Sequence, residues 1–231
     1  MTRKLHVFSV LIILALLALA CNAPTGKSPA SPTDASSAPG ITLEPQTDQT
    51  ATEEPLSTAD FSKAALTIGD LPAGFEQLSD EDLETLGISA EALASAFEGK
   101  LSKATPQAFA AFINYTSFEV VVSLVLAPLT ILEKASFDLY LSNPDGAAKD
   151  FSAGAGTTAT TLPNFEKVGN SSVGVTFTTG EGATTLRSDV AISRQGAAAV
   201  ISMVFYLDGS TPQMDINTLA KIMDSKVKAV Q

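Results

Sequence analysis

The sequence predicts an α+β fold: one domain, residues 59–231, in which helices cover one face of an antiparallel β-sheet and an amphipathic helix closes the chain. Three observations predict it. Val173, Val175 and Phe177 alternate with Gly174, Thr176 and Thr178, the period of a half-buried strand. Two further strand-like runs follow at hairpin spacing, residues 186–193 and 198–207, with the turn Arg194-Gln195-Gly196 between them. Beyond Asp208-Gly209-Ser210, the residues Ile216, Leu219, Ile222, Met223, Val227 and Val230 recur at helical spacing, and such a stripe needs a sheet to pack on. Strands joined by local turns pair antiparallel.

The chain starts with Arg3 and Lys4, then an apolar run of 14 residues, 7–20, broken only by Ser9 and ending in Ala18-Leu19-Ala20 before Cys21. A spanning helix needs about 20 apolar residues. Charge, short apolar segment and small residues therefore predict a cleaved secretory signal over residues 1–20. Ala18-Leu19-Ala20-Cys21 resembles the lipobox of bacterial lipoproteins. The resemblance implies cleavage between Ala20 and Cys21, a diacylglyceryl group on the Cys21 thiol and an acyl chain on its new amino terminus. Cys21 is the only cysteine, so no intramolecular disulfide can form and the domain must stand on its core alone. Two or three acyl chains give durable attachment, since each buried methylene contributes about 0.8 kcal/mol.

Residues 21–58 hold the lipidated cysteine and a spacer. Six of the twelve prolines fall here, among Ala, Ser, Thr, Gly and acids, with no aromatic before Phe61. That composition buries too little apolar surface to offset ordering, and predicts a disordered tether.

Within the domain, residues 66–75 form a short apolar piece with turn residues Gly69, Pro72 and Gly74. Ser79 followed by Asp80, Glu81 and Asp82 predicts a helix start, stopped at Gly87, and Ser89 caps a second short helix running to Gly99. Acids crowd these two helices, as expected of a solvated face with negative charge at the dipole's positive end. No calcium-loop pattern is present. Residues 109–126 predict two strands meeting at a turn over 114–117. The uncharged run 120–132 reads as a central strand buried on both faces. A helix is expected from Leu129 toward Leu141, then a turn at Asn143-Pro144-Asp145-Gly146, one helical turn over 147–151 and a loop over 154–161. In the C-terminal meander Leu186, Val190 and Ile192 share one face, opposite Arg187, Asp189, Ala191 and Ser193. Asp215 caps the last helix, and Lys226 and Lys228 sit at its favourable end. The Asp70-Leu71-Pro72-Ala73-Gly74-Phe75 element and the terminal meander plus helix resemble uncharacterised lipoproteins of cyanobacteria and Chloroflexi-type bacteria. More distantly they are similar to extracellular sensor domains of actinobacterial kinases, which carry disulfides that this chain lacks.

Composition narrows the chemistry. Without the signal, 12 basic residues face 25 acidic ones, a net charge of −13. Phosphate backbones and anionic headgroups repel such a chain as a whole, so no nucleic-acid partner is expected. The only histidine, His6, lies in the signal. A Ser-His-Asp or Cys-His site, or a zinc site built on His or Cys, has no residues to use in the mature chain. A Ser-Lys pair or paired carboxylates stay open. Gly154-Ala155-Gly156 and Gly180-Glu181-Gly182 lack the rest of a phosphate loop. Asn114-Tyr115-Thr116 and Asn170-Ser171-Ser172 match glycosylation acceptors by chance in a bacterial chain. No catalytic, metal-ligating or cofactor-binding residue is singled out, and the site residues expected are Ala20 and Cys21. The expectation is a non-enzymatic extracytoplasmic protein, anchored to a membrane by lipid, that binds or senses a protein or small molecule. The alternative is a carrier of lipid or another hydrophobic ligand between sheet and helices, and less favoured is a carboxylate-based hydrolase.

Overall fold

The computed structural model describes residues 58–97, 99–155, 157–180 and 185–231. The expected signal peptide with Ala20, the expected Cys21 site, the expected tether up to Ser57 and the centre of the Gly180-Glu181-Gly182 turn lie outside the described residues. Seven strands form one antiparallel sheet: β1 (Glu76–Gln77), β2 (Thr105–Asn114), β3 (Glu119–Ala127), β4 (Ala159–Thr161), β5 (Ser171–Thr179), β6 (Leu186–Gln195) and β7 (Ala198–Leu207). Their order is β1-β2-β3-β7-β6-β5-β4, so two meanders meet at the β3–β7 pair. The α+β class, the antiparallel sheet and the closing amphipathic helix are as the sequence predicts.

Every residue of β3 is buried, in keeping with the run of apolar residues read as a central strand. The strand ends at Ala127, however, because Pro128 cannot extend the ladder. The rest of the uncharged run enters helix α3. Alternation divides the core in two. Val120, Val122, Leu124 and Leu126 face a cluster shared with helices α1 (Asp80–Leu86), α2 (Ala90–Ser95), α3 (Ile131–Leu141) and α4 (Pro144–Ala155). Val121, Val125 and Ala127 face a second cluster with Phe61, Leu66 and the inner stripe of α5 (Ile216–Ala229). Four helices thus gather on one face, and α5 with the 3-10 turn Phe61–Ala64 covers much of the other.

Local chemistry explains where the helices begin. Ser79 accepts from Asp82 N–H, and Asp82 accepts in return at Ser79; Gly87 in the left-handed region (φ 65°) ends α1. Helix α2 stops at Ser95, short of the expected Gly99. Helix α3 starts at Ile131 rather than Leu129, because Thr130 and Glu133 cap each other. The turn expected at 143–146 is instead the start of α4. Asn143 Oδ1 accepts from Gly146 N–H at 3.0 Å, and Pro144 takes the first helical position, where its missing N–H costs nothing. The loop expected over 154–161 ends in edge strand β4, which pairs Ala159 with Phe177.

Helix α3 is fastened to the sheet by one charged contact. Arg194 donates from Nε and Nη2 to the two oxygens of Asp138 at 2.6 and 2.7 Å, and from Nη1 to Asn170 and the Gly196 carbonyl. Ser171 donates to the same carboxylate. Arg194 and these hydrogen bonds hold the Asp138 carboxyl below its ordinary range despite partial burial. Beside this contact the chain turns at Gly169, with φ +64°, and a Cβ there would stand 2.4 Å from the Arg194 carbonyl oxygen. Gly169→Ala is expected to lower stability by about 2 kcal/mol, read as a shift of the urea midpoint at unchanged slope.

Candidate functional site

The face that carries α5 is polar along one end of the sheet. Successive strand partners place Asn114 beside Glu119, Tyr206 beside Arg187, and Arg187 beside Thr178. Glu119 and Tyr206 follow one step on from the Val120–Phe205 pair and join the two halves of this row. The face of β6 opposite Leu186, Val190 and Ile192 is mostly buried too: Asp189, Ala191 and Ser193 are 7, 2 and 4 % exposed. Buried Asp189 therefore needs partners, and it has them.

Asp189 is the hub. Its Oδ1 accepts from Thr176 Oγ1 at 2.6 Å and from Arg187 Nε at 3.2 Å, and its Oδ2 accepts from Tyr206 at 2.7 Å. Burial, then the bond to Asp189, pushes the Tyr206 phenol well above its usual range, so it stays protonated and serves as a donor, not a base. Toward the sheet edge the covering layer ends. A shallow depression of about 210 Å³ opens there, lined by Thr158, Thr160, Pro163, Thr176, Thr178 and Arg187. The Arg187 guanidinium, oriented through Nε by Asp189, is its one cationic group, and threonine hydroxyls surround it. Such a surface offers hydrogen-bond donors and acceptors to a small polar ligand or a peptide. It offers neither nucleophile nor base.

At the other end of the polar row, Glu119 is fully buried with no cation beside it. Its carboxylate accepts the backbone N–H groups of Gln213 and Met214 at 2.7 and 2.8 Å. Asn114 donates to the Gln213 side chain at 3.3 Å and accepts from Thr116 and Ser117 N–H. These bonds clamp the segment before α5 onto the β2–β3 turn. Burial raises the Glu119 carboxyl above its ordinary value, and the two N–H groups only partly offset this. Asn114 is 2 % exposed and Asn170 accepts from Arg194 and Gly196, so both glycosylation motifs have structural duties.

The remaining buried carboxylates also accept structural bonds, although Asp224 Oδ1 has no hydrogen-bond partner. Glu133 caps α3 and takes Lys103 N–H at 2.7 Å, while Asp224 binds Lys228 at 2.5 Å along α5. Glu119, Glu133, Asp189 and Asp224 are thus distributed over a loop clamp, a helix cap, a sheet hub and a helix side. Among the described residues no three His, Cys, Asp or Glu side chains converge as metal ligands would. Under α1 to α4, the space between Ile88, Leu93, Phe97, Phe151, Ile201 and Met203 amounts to about 30 Å³. None of these residues stood out in the sequence as a site, because each acts through partners distant along the chain. No protein family matches this chain, and no curated protein or solved structure matches it either.

Proposed function

We propose that this chain is an extracytoplasmic lipoprotein, held at a bacterial membrane by acyl chains on Cys21, whose domain binds or senses a partner and carries out no reaction. The smallness of the apolar space found beneath the helices carries this reading. A small-molecule carrier needs a cavity of roughly 300–1,000 Å³, lined by apolar side chains. The interior space here is near 30 Å³ and the larger depression is open, shallow and polar. What the domain offers a partner is therefore its surface. Two features support the absence of a reaction centre: the mature chain holds no histidine, and each buried carboxylate already accepts structural hydrogen bonds.

The carrier alternative is tested by extracting residues 22–231, purified without detergent, into organic solvent. No lipid at stoichiometric amount is the expected result. One lipid per chain, seen by mass spectrometry, would replace binding at the surface with transport in the interior.

A further inference from the structure

The most anomalous surface of the domain is the outer side of α3. Ile131, Leu132 and Leu139 are 60, 76 and 73 % exposed, although Phe137 and Leu141 of the same helix lie in the core. At 100° per residue, Ile131, Leu132, Ala135 and Leu139 fall on one outward arc opposite Phe137 and Leu141. The helix thus carries apolar side chains on its outward arc as well as on its core side, and an apolar arc of that kind is ordinarily covered. By contrast α5 exposes Lys221 and Lys228 and hides its apolar stripe.

Charge says what covers it. The chain is strongly acidic, yet the outward side of α3 presents no free carboxylate. Glu133 is turned inward onto Thr130 and Lys103 N–H, and Asp138 is paired with Arg194. Lys134, half-exposed, flanks the outward arc in the first turn, and Lys103 stands exposed beside the same turn. Asp150 of the neighbouring α4 is paired with Lys100 at 3.2 Å. Helix α2 packs on β2 and β3, whereas α3 packs on β5 and β6. Exposed aliphatic side chains with lysines at the rim suit an anionic lipid surface, where acyl chains accept the first and headgroups the second.

We infer that α3 docks the domain on the bilayer that holds its anchor, with Ile131, Leu132 and Leu139 entering the headgroup boundary. The proposal rests on the lipid-anchor reading for the nearness of that bilayer. The 37 residues from Asn22 to Thr58 can span at most about 130 Å, so the surface is always within reach and weak docking is enough. Docking would fix which side of the domain, including the Arg187 depression, faces away from the membrane.

The test uses residues 22–231, which contain every described residue and lack both signal and anchor. Sedimentation with phosphatidylglycerol vesicles is compared between wild type and a Leu132→Asp/Leu139→Asp double variant, each first checked for an unchanged unfolding midpoint. If the aspartates disturb folding, Leu132→Ser/Leu139→Ser replaces them. The wild type is expected to bind, and the variant to bind about tenfold more weakly. Equal binding, or no binding by wild type, overturns the proposal. So does a wild-type dimer in the absence of lipid that the double variant dissolves, since a second copy would then cover α3. Because Cys21 is absent, a failure of the lipid-anchor reading would appear in acylation experiments and leave this result legible.

Discussion

Glu119→Ala is expected to destabilise the domain by about 3 kcal/mol, because it leaves the buried N–H of Met214 and the part-buried N–H of Gln213 without their acceptor. The loss is not larger because burying an unpaired carboxylate is itself unfavourable, and the substitution removes that cost too. Glu119→Gln should fall between: its carbonyl keeps one N–H, but its amide group meets the other. The pH dependence separates these contributions. The folded-state carboxyl titrates above the unfolded one, so the folded chain binds the proton more tightly. Stability from this group is fully present below the ordinary value of 4.5 and is lost as pH rises through the raised folded-state value. Urea unfolding across this range should show wild type gaining on Glu119→Gln as pH falls. A difference independent of pH would mean that Glu119 is not buried as described.

Asp189→Ala is the second large effect, also about 3 kcal/mol. It strands Thr176, Tyr206 and Arg187, and removing one member of a buried charged network ordinarily costs about 3–5 kcal/mol. Arg187 is a third exposed and can turn to water, which holds the loss at the low end. Asp189→Asn should retain much of the stability, since its carbonyl still accepts one or two of the three bonds. The expected order of urea midpoints is wild type, then Asn, then Ala. For an Asp189 that serves only as surface charge, all three would unfold together.

Much of this fold was legible because the decisive signals are local. Alternation in residues 173–177 and the stripe from Ile216 to Val230 each report a face directly. The caps at Ser79, Ser89 and Asp215 lie within a few residues of the N–H groups they accept from. What was not legible depends on contacts across the sheet. Glu119 reads as the polar end of an apolar run, and nothing near it announces partners 94 and 95 residues further on. Arg187 and Asp189 read as the face opposite Leu186, Val190 and Ile192, because alternation gives two faces and does not say that a helix covers the second. Pro144 reads as a turn residue, although after a capping asparagine it is equally a helix start. The Arg187 depression had no signal in the sequence, since threonine suits any strand and becomes informative only when β4 and β5 set four of them side by side.

The exposed side of α3 illustrates the same limit from the other direction. Leucines at 132 and 139 look like core in a sequence, and only the packing of α3 shows that Phe137 and Leu141 fill that role. Surplus apolar residues of this kind, once the core is accounted for, point to what the protein touches.

The measurement that bears most directly on the whole account is metabolic labelling with palmitate. The wild-type chain should take up label and the Cys21→Ser chain should take up none, with the serine variant recovered away from the membrane fraction. An unlabelled wild type, or label that survives the substitution, would contradict the account.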